Sequence, residues 1–270
     1  MGISEMNILL TNDDGIHAPG LWAVYRQLMR KHAVTVVAPD RERSAVGHGI
    51  TLNEPLRMEK IEVNGGFQGF AVSGTPVDCI RLGILEILDA KPDLAVSGIN
   101  PGLNVGVNIN YSGTVAAARE AALYGVPAIA VSIQGCEAGH YHAAARVAEV
   151  LAGFVFRNGL PRGTILNVNL PDITLRKAAG VKISRQGIPV YSDNFDKRVD
   201  PRNKTYYWQG SEFKAVFDHS DMDGAVLANH YISITPIQCD MTDYTAMEGL
   251  KSWNIEKKVL KNEKTVYKRS

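Results

Sequence analysis

A chain of 270 residues, 45% of them hydrophobic and 21% charged, has the composition of an ordinary globular protein with material for one large domain or a domain and an appendage. Its 29 Lys and Arg stand against 28 Asp and Glu, and a net charge of +1 lacks the basic surplus on which binders of nucleic-acid polymers rely. No run approaches the ~18 apolar residues of a membrane span, and Met1 to Asn7 lacks the basic-then-apolar pattern of a signal peptide. A cytoplasmic protein without a membrane partner is expected. Cys79, Cys136 and Cys239 are isolated and lack C-x-x-C spacing, so they read as small buried residues, not as a disulfide framework or a thiolate metal site.

Met6 to Thr11 is a short, continuously apolar run that ends in Asn12-Asp13-Asp14-Gly15, the pattern of a strand buried on both faces leaving its sheet at a polar loop. Pro19 to Lys31 has helical spacing, and Ala33 to Ala38 is a second β-branched strand that runs into Pro39-Asp40. Ile50 to Val63 has extended character. Thr75-Pro76 opens a helix to about Asp89, with Thr75 as its cap. Leu94 to Val96, Pro127 to Ile133 and Ile165 to Leu170 read as strands, alternating with helices over Gly113 to Tyr124 and His140 to Phe156. This alternation predicts an α/β protein with a doubly wound, mostly parallel sheet.

From about Pro171 to Asp218 the rhythm breaks. Gly180 to Arg185 and Lys204 to Trp208 read as strands flanking the turn-rich stretch Asp193 to Asn203, an extended β-arm suited to subunit contacts. Ser220 to Ala228 is a capped helix, with Ser220 or Asp221 as the cap of the Asp221-Met222-Asp223-Gly224 segment. Tyr231 to Thr235 is a strand and Thr242 to Leu250 a helix. The tail from Lys251 to Ser270 carries seven Lys or Arg against two Glu and reads as a solvated end. The expected organisation is a catalytic core over 1–170, a β-arm and oligomerisation segment over 171–250, and a basic tail over 251–270.

Ligands of doubly wound sheets bind beyond the carboxyl ends of the strands. Asn12, Asp13 and Asp14 follow the first strand, Asp40 to Ser44 and then Gly47-His48 the second, and Asn100, Asn104, Asn108 and Asn110 lie beyond Leu94 to Val96. Carboxylate, hydroxyl and amide oxygens form a hard donor set, suited to Mg²⁺ or Mn²⁺, with Ca²⁺ also able to occupy such a site. Ser112-Gly113-Thr114 opens a helix, where free N–H groups and hydroxyls favour an anion. Metal ligands beside an anion site suggest phosphate chemistry, and the Walker A, G-x-G-x-x-G and G-x-S-x-G patterns are all absent.

The segments Asn7 to Gly15, Ala38 to His48, Ser73 to Cys79, Ser97 to Asn100 and Tyr111 to Val115, in this order and spacing, resemble the motifs of the survival protein E (SurE) family; the similarity extends from about residue 6 to 250. The resemblance implies a Rossmann-like core, a C-terminal segment exchanged between subunits of a homodimer or homotetramer, and a metal-dependent nucleotidase. Such an enzyme hydrolyses nucleoside 5'- or 3'-monophosphates and, in some members, short polyphosphate. It makes Asp13, Asp14, Ser44 and Asn100 the ligands of a divalent metal, with Asp13 or Asp14 orienting or deprotonating the attacking water. Ser112, Gly113 and Thr114, beside Asn100, would hold the phosphate, and His48 is a candidate proton donor. Two positions depart from the family pattern: Asn108 replaces a usual Asp, and His230 a usual Gly. The alternative is a nonenzymatic nucleotide-binding regulatory protein.

Overall fold

The computed structural model describes residues 5–63, 66–135, 138–188, 195–209, 217–253, 255 and 259. Its elements in chain order are β1 (Asn7–Thr11), α1 (Pro19–Leu28), β2 (Ala33–Pro39), β3 (Met58–Val63), β4 (Phe67–Val72), α2 (Pro76–Leu82), β5 (Leu94–Pro101), α3 (Gly113–Leu123), β6 (Ala128–Ile133), α4 (Ala138–Asn158), β7 (Thr164–Leu170), β8 (Gly180–Ile183), β9 (Phe195–Val199), β10 (Thr205–Gln209), α5 (Asp223–Ala228), β11 (Tyr231–Gln238) and α6 (Tyr244–Lys251). One sheet runs in the order β3-β4-β2-β1-β5-β6-β7-β11-β8. It is mostly parallel, with antiparallel pairing at β3 with β4 and at β7 with β11.

Side chains alternate across the central strands, and this sorts the helices. Ile8 and Leu10 of β1, Val36 and Ala38 of β2, and Leu94 and Val96 of β5 face α1 and α4. Leu9, Val37 and Ala95 face the opposite way, toward α2 and α3. In α3 the small residues Ala117, Ala118, Ala121 and Ala122 let the helix lie close to the sheet. Strand order reverses between β1 and β5: the chain winds from β1 outward to β2, then returns to place β5 on the other flank of β1. A crevice therefore opens at the carboxyl ends of these two strands.

Most elements lie where the periodicity puts them, and the differences have local causes. Helix α2 has the expected start, with the Thr75 hydroxyl accepting the Asp78 N–H and Asp78 accepting the Thr75 N–H in a capping box, but it passes into a π-helical turn at Gly83–Ile87. Only Met58–Val63 of the extended stretch is a strand, and it pairs with β4, which the sequence reading lacks. Strand β8 is not part of an arm; it runs parallel to β11 at the sheet's edge, within a compact unit that extends through Cys239. The arm is instead the exposed antiparallel hairpin β9-β10, whose first strand lies in the stretch read as turn.

Cys79 is buried and Cys239 is half-buried, both as free thiols, whereas Cys136 lies outside the described residues. From Asp240 onward a second unit contains α6, which is capped by Asp243 accepting the Ala246 N–H. Most of the basic tail also lies outside the described residues. No described helix is long and apolar enough to cross a membrane.

Candidate active site

Three chain segments meet at the crevice. The loop after β1 brings Asp13 and Asp14, the loop after β2 brings Glu42, Ser44 and Ala45, and the end of β5 brings Asn100. With Asn104, Asn108, Tyr111, Ser112 and Gln209 of the hairpin, they line a cavity of about 800 Å³. All four residues expected as metal ligands thus share one cavity. Among the described residues no three His, Cys, Asp or Glu side chains form a metal-holding group, in keeping with a set of only two carboxylates, one hydroxyl and one amide.

Asp13 is buried against the N-terminus of α3. Its Oδ2 accepts the Thr114 N–H at 3.1 Å and its Oδ1 accepts a short hydrogen bond from the Thr114 hydroxyl. Burial raises its pKa against the pull of these donors. Gly113 is required here, since a Cβ would stand 2.8 Å from the Asp13 Cβ and 3.1 Å from Pro76. Asp14 has no such support. Its Oδ2 is buried without a partner, and burial, followed by the charges of Asp13 and Glu42, pushes its carboxyl up to about 7.

The remaining donors are tied off so that lone pairs are left over. Asn100 Nδ2 donates to the Gly102 carbonyl at 2.8 Å, which leaves Oδ1 as a free acceptor. The Ser44 hydroxyl donates to Glu42 at 2.6 Å, and its residue is followed by Ala45 at φ 55, an uncommon backbone conformation for alanine. A cluster of acceptors with no proton of their own to offer suits a cation. The wall behind is held by Asn104, whose Nδ2 donates to Ser132 Oγ, whose N–H donates to Asn169, and whose carbonyl accepts from Asn167 and Asn169.

The candidate phosphate and acid residues separate. Ser112 lines the cavity, and because its Oγ accepts the Val115 N–H, its own proton is free to donate outward. Thr114 is fully buried and spends both donors on Asp13, and Gly113 packs against the same side chain, so the α3 N-terminus holds the chain's own carboxylate where an external anion was expected. His48 lies outside the cavity lining. Its Nε2 meets Glu120 of α3 at 2.8 Å, and Arg81 approaches the other Glu120 oxygen at 3.5 Å. This pairing ties the loop that carries His48 to α3. At α5 the N-cap is Met222, without a side-chain cap, in place of the expected Ser220 or Asp221; Asp221 pairs with Arg185, and Asp223, the first helical residue, accepts the distant Gly106 N–H.

Residues 8–193 match the family model of survival protein SurE, about two thirds of the chain. The chain belongs to the SurE family. The 5'-nucleotidase SurE of Desulfatibacillum aliphaticivorans is 56% identical over 252 residues, covering 93% of this chain and 100% of that protein. That of Pelobacter propionicus is 47% identical over 249 residues, covering 92% and 99%. The crystal structure of the SurE protein from Aquifex aeolicus superposes with a TM-score of 0.80 at 39% identity, covering 92% of this chain and 99% of that one. Asp14, with its unpartnered oxygen, lies within the residues that match the SurE family model.

Proposed function

We propose that this protein is a nucleotidase, a phosphomonoesterase that hydrolyses nucleoside monophosphates to nucleoside and phosphate with a divalent metal held by Asp13, Asp14, Ser44 and Asn100. The observation that carries the reading is the convergence of these four oxygen donors from separate segments on one cavity, where Asp14 keeps a buried oxygen without a partner. An isolated protein gains nothing from two crowded carboxylates; a bound cation relieves both their repulsion and the missing partner. The names of the family relatives, 5'-nucleotidase SurE, support the substrate class. Activity on 3' esters and short polyphosphate belongs to the same proposal.

When bound, the ion supplies Lewis acidity toward a phosphoryl oxygen and lowers the pKa of a coordinated water. The chain's own groups do the rest. Asp13, fixed by Thr114, holds its charge in one orientation. Asp14, whose buried oxygen has no partner within the chain, is placed to orient the attacking water or take its proton. The Ser112 hydroxyl and the Asn108 amide border the cavity where the equatorial phosphoryl oxygens would sit, while Asn100, its NH₂ held by the Gly102 carbonyl, turns its oxygen to the cation. Asn108 in place of the usual Asp lowers the negative charge facing a phosphate. The nonenzymatic alternative is not favoured, because simple phosphate retention has no use for an unpaired buried carboxylate.

Phosphate release from a panel of nucleoside monophosphates, with chelator and then with Mg²⁺ or Mn²⁺ restored, tests the reading; turnover that survives exhaustive chelation refutes it. We further propose a cytoplasmic homo-oligomer, dimer or tetramer, assembled through the segment 171–250. The exposed hairpin, with Tyr207 and Trp208 each 60% exposed, supports this, as does the exposed edge strand β8. Light scattering showing an unchanged oligomer after excision of the hairpin from a folded protein would argue against it.

A further inference from the structure

Asp223 is a fully buried carboxylate that the proposed reaction does not use. Its two oxygens face different parts of the fold. Oδ1 accepts the N–H groups of Gly187 at 3.1 Å and Gly224 at 2.9 Å, while Oδ2 accepts the N–H of Gly106, 117 residues away in the chain, at 2.8 Å. The other side of Gly106 is held too, because Gln186 Nε2 donates to its carbonyl at 2.8 Å.

Gly106 adopts φ +59, a conformation that favours glycine, and opens the 3-10 turn Gly106–Asn110. This turn brings Asn108 to the cavity and leads directly into Tyr111 and Ser112. Two residues before it, Asn104 is pinned to β6 and β7 by Ser132 and Asn169. A buried charge is costly unless its oxygens are well satisfied. Linking β8 to α5 needs only Oδ1. The second oxygen is spent on the backbone that shapes the cavity wall.

We propose that Asp223 and Gln186 are positioning residues that clamp the Gly106 peptide from both sides and thereby set the substrate-facing residues Asn108, Tyr111 and Ser112 against the metal-ligand loops. The proposal rests on the nucleotidase reading for its kinetic consequence and on the hydrogen bonds alone for its structural one. It also gives the segment that carries β8 and α5 a direct mechanical hold on the active-site wall.

Asp223→Asn preserves volume but leaves a single acceptor oxygen. Turned to keep Gly187 and Gly224, that side chain presents its NH₂ to the Gly106 N–H and releases it. Gln186→Met frees the Gly106 carbonyl. Since a misplacement of about 1 Å costs up to roughly 100-fold in rate, kcat for a nucleoside monophosphate is expected to fall about tenfold or more in Asp223→Asn, with a raised KM. The Mn²⁺-induced rise in Tm stays parental, because the metal ligands come from other segments. Hydrogen exchange quickens at the amides of Gly106 to Ser112, and the double variant loses less than the product of the single losses.

Parental kcat and KM in folded Asp223→Asn would overturn the proposal. So would a joint loss of activity, Mn²⁺ response and stability, which marks general loosening. If Asp223→Asn fails to fold, Gln186→Met carries the same comparison with the same criteria. If the parent releases no phosphate from any nucleotide, the nucleotidase reading fails on its own, and unchanged exchange at Gly106 to Ser112 in the variants then overturns the clamp.

Discussion

Thr114 gives both of its donors to the carboxylate of Asp13, which precedes it by 101 residues, so the N-terminus of α3 orients a side chain of the loop after β1. Removing the hydroxyl alone leaves a buried carboxylate oxygen without its short bond. Thr114→Val should therefore cost about 1–3 kcal/mol of stability and lower turnover as Asp13 loses its fixed orientation. Thr114→Ser, which restores the hydroxyl, should recover most of both. Equal stability and turnover for the Val and Ser variants would show that the hydroxyl does not orient Asp13.

Gly113→Ala tests the same contact from the steric side. The added methyl would lie 2.8 Å from the Asp13 Cβ and 3.1 Å from Pro76, so one neighbour must move. Asp13 is the one that borders the cavity, and its displacement should weaken the Mn²⁺-dependent rise in Tm as well as activity. Because the helix itself gains from alanine, the metal-free Tm should change less than the metal-dependent increment. A variant that keeps the full increment would argue that the ligand position is tolerant.

What the sequence disclosed follows the range of each interaction. The strand Met6 to Thr11 and the polar Asn12 to Gly15 that ends it are adjacent residues whose hydrophobicity changes abruptly, so both the strand and the location of Asp13 and Asp14 were legible. The Thr75 capping box spans three residues and was legible for the same reason. Thr114 was read as a phosphate ligand because a hydroxyl at a helix N-terminus looks alike whether the anion it meets is a ligand or the chain's own Asp13. His48 with Glu120 and Asp223 with Gly106 are separated by 72 and 117 residues, and periodicity carries no information on such pairing. Strand β4, Phe-Gln-Gly-Phe-Ala-Val, was missed because Gln68 and Gly69 interrupt its apolar run and its identity rests on pairing with β2 and β3.

His32 supplies a pH test outside the active site. Burial lowers its pKa from 6.5, against the attraction of Glu149, so the folded chain favours the neutral ring. The unfolded chain takes up a proton near pH 6.5, and the stability this residue contributes is therefore present above that pH and lost as pH falls from 6.5 toward the lowered folded value. In His32→Gln that loss is absent. Stability curves for the two proteins should run parallel above pH 7 and converge or cross below 6.5; parallel curves throughout would show that the ring titrates alike in both states.

His230 follows the Asn229 cap of α5 with φ 63, the left-handed position that commonly ends a helix and that glycine fills at least cost. Its departure from the usual glycine thus carries a backbone penalty at an exposed site. His230→Gly is expected to raise stability by about 0.5–1 kcal/mol, the left-handed penalty less the entropy that glycine loses on folding. His230→Ala keeps the Cβ and should show no such gain. Thermal unfolding of the three proteins decides it, and equal Tm values for Gly and Ala would place the effect in the lost imidazole.

Asp14→Asn addresses the proposed metal site most directly. The change keeps size and shape and removes the charge whose buried oxygen lacks a partner and whose carboxyl is pushed up to about 7 by burial and by the charges of Asp13 and Glu42. As a ligand and proton acceptor, Asp14 should be worth roughly a hundredfold or more in turnover, the scale on which losing one charge-stabilising group at a reacting centre is felt. In the metal-free protein the same change relieves repulsion, so at pH 8 its Tm should equal or exceed the parent's. Adding Mn²⁺ should then raise the parent's Tm more than the variant's, because ligand-linked stabilisation follows affinity. A turn or capping role predicts the opposite pattern, since asparagine caps as well as aspartate and both turnover and the Mn²⁺ increment would survive. Near-parental turnover with an undiminished Mn²⁺ increment would remove Asp14 from the metal site, and with it the reason for its unpaired oxygen.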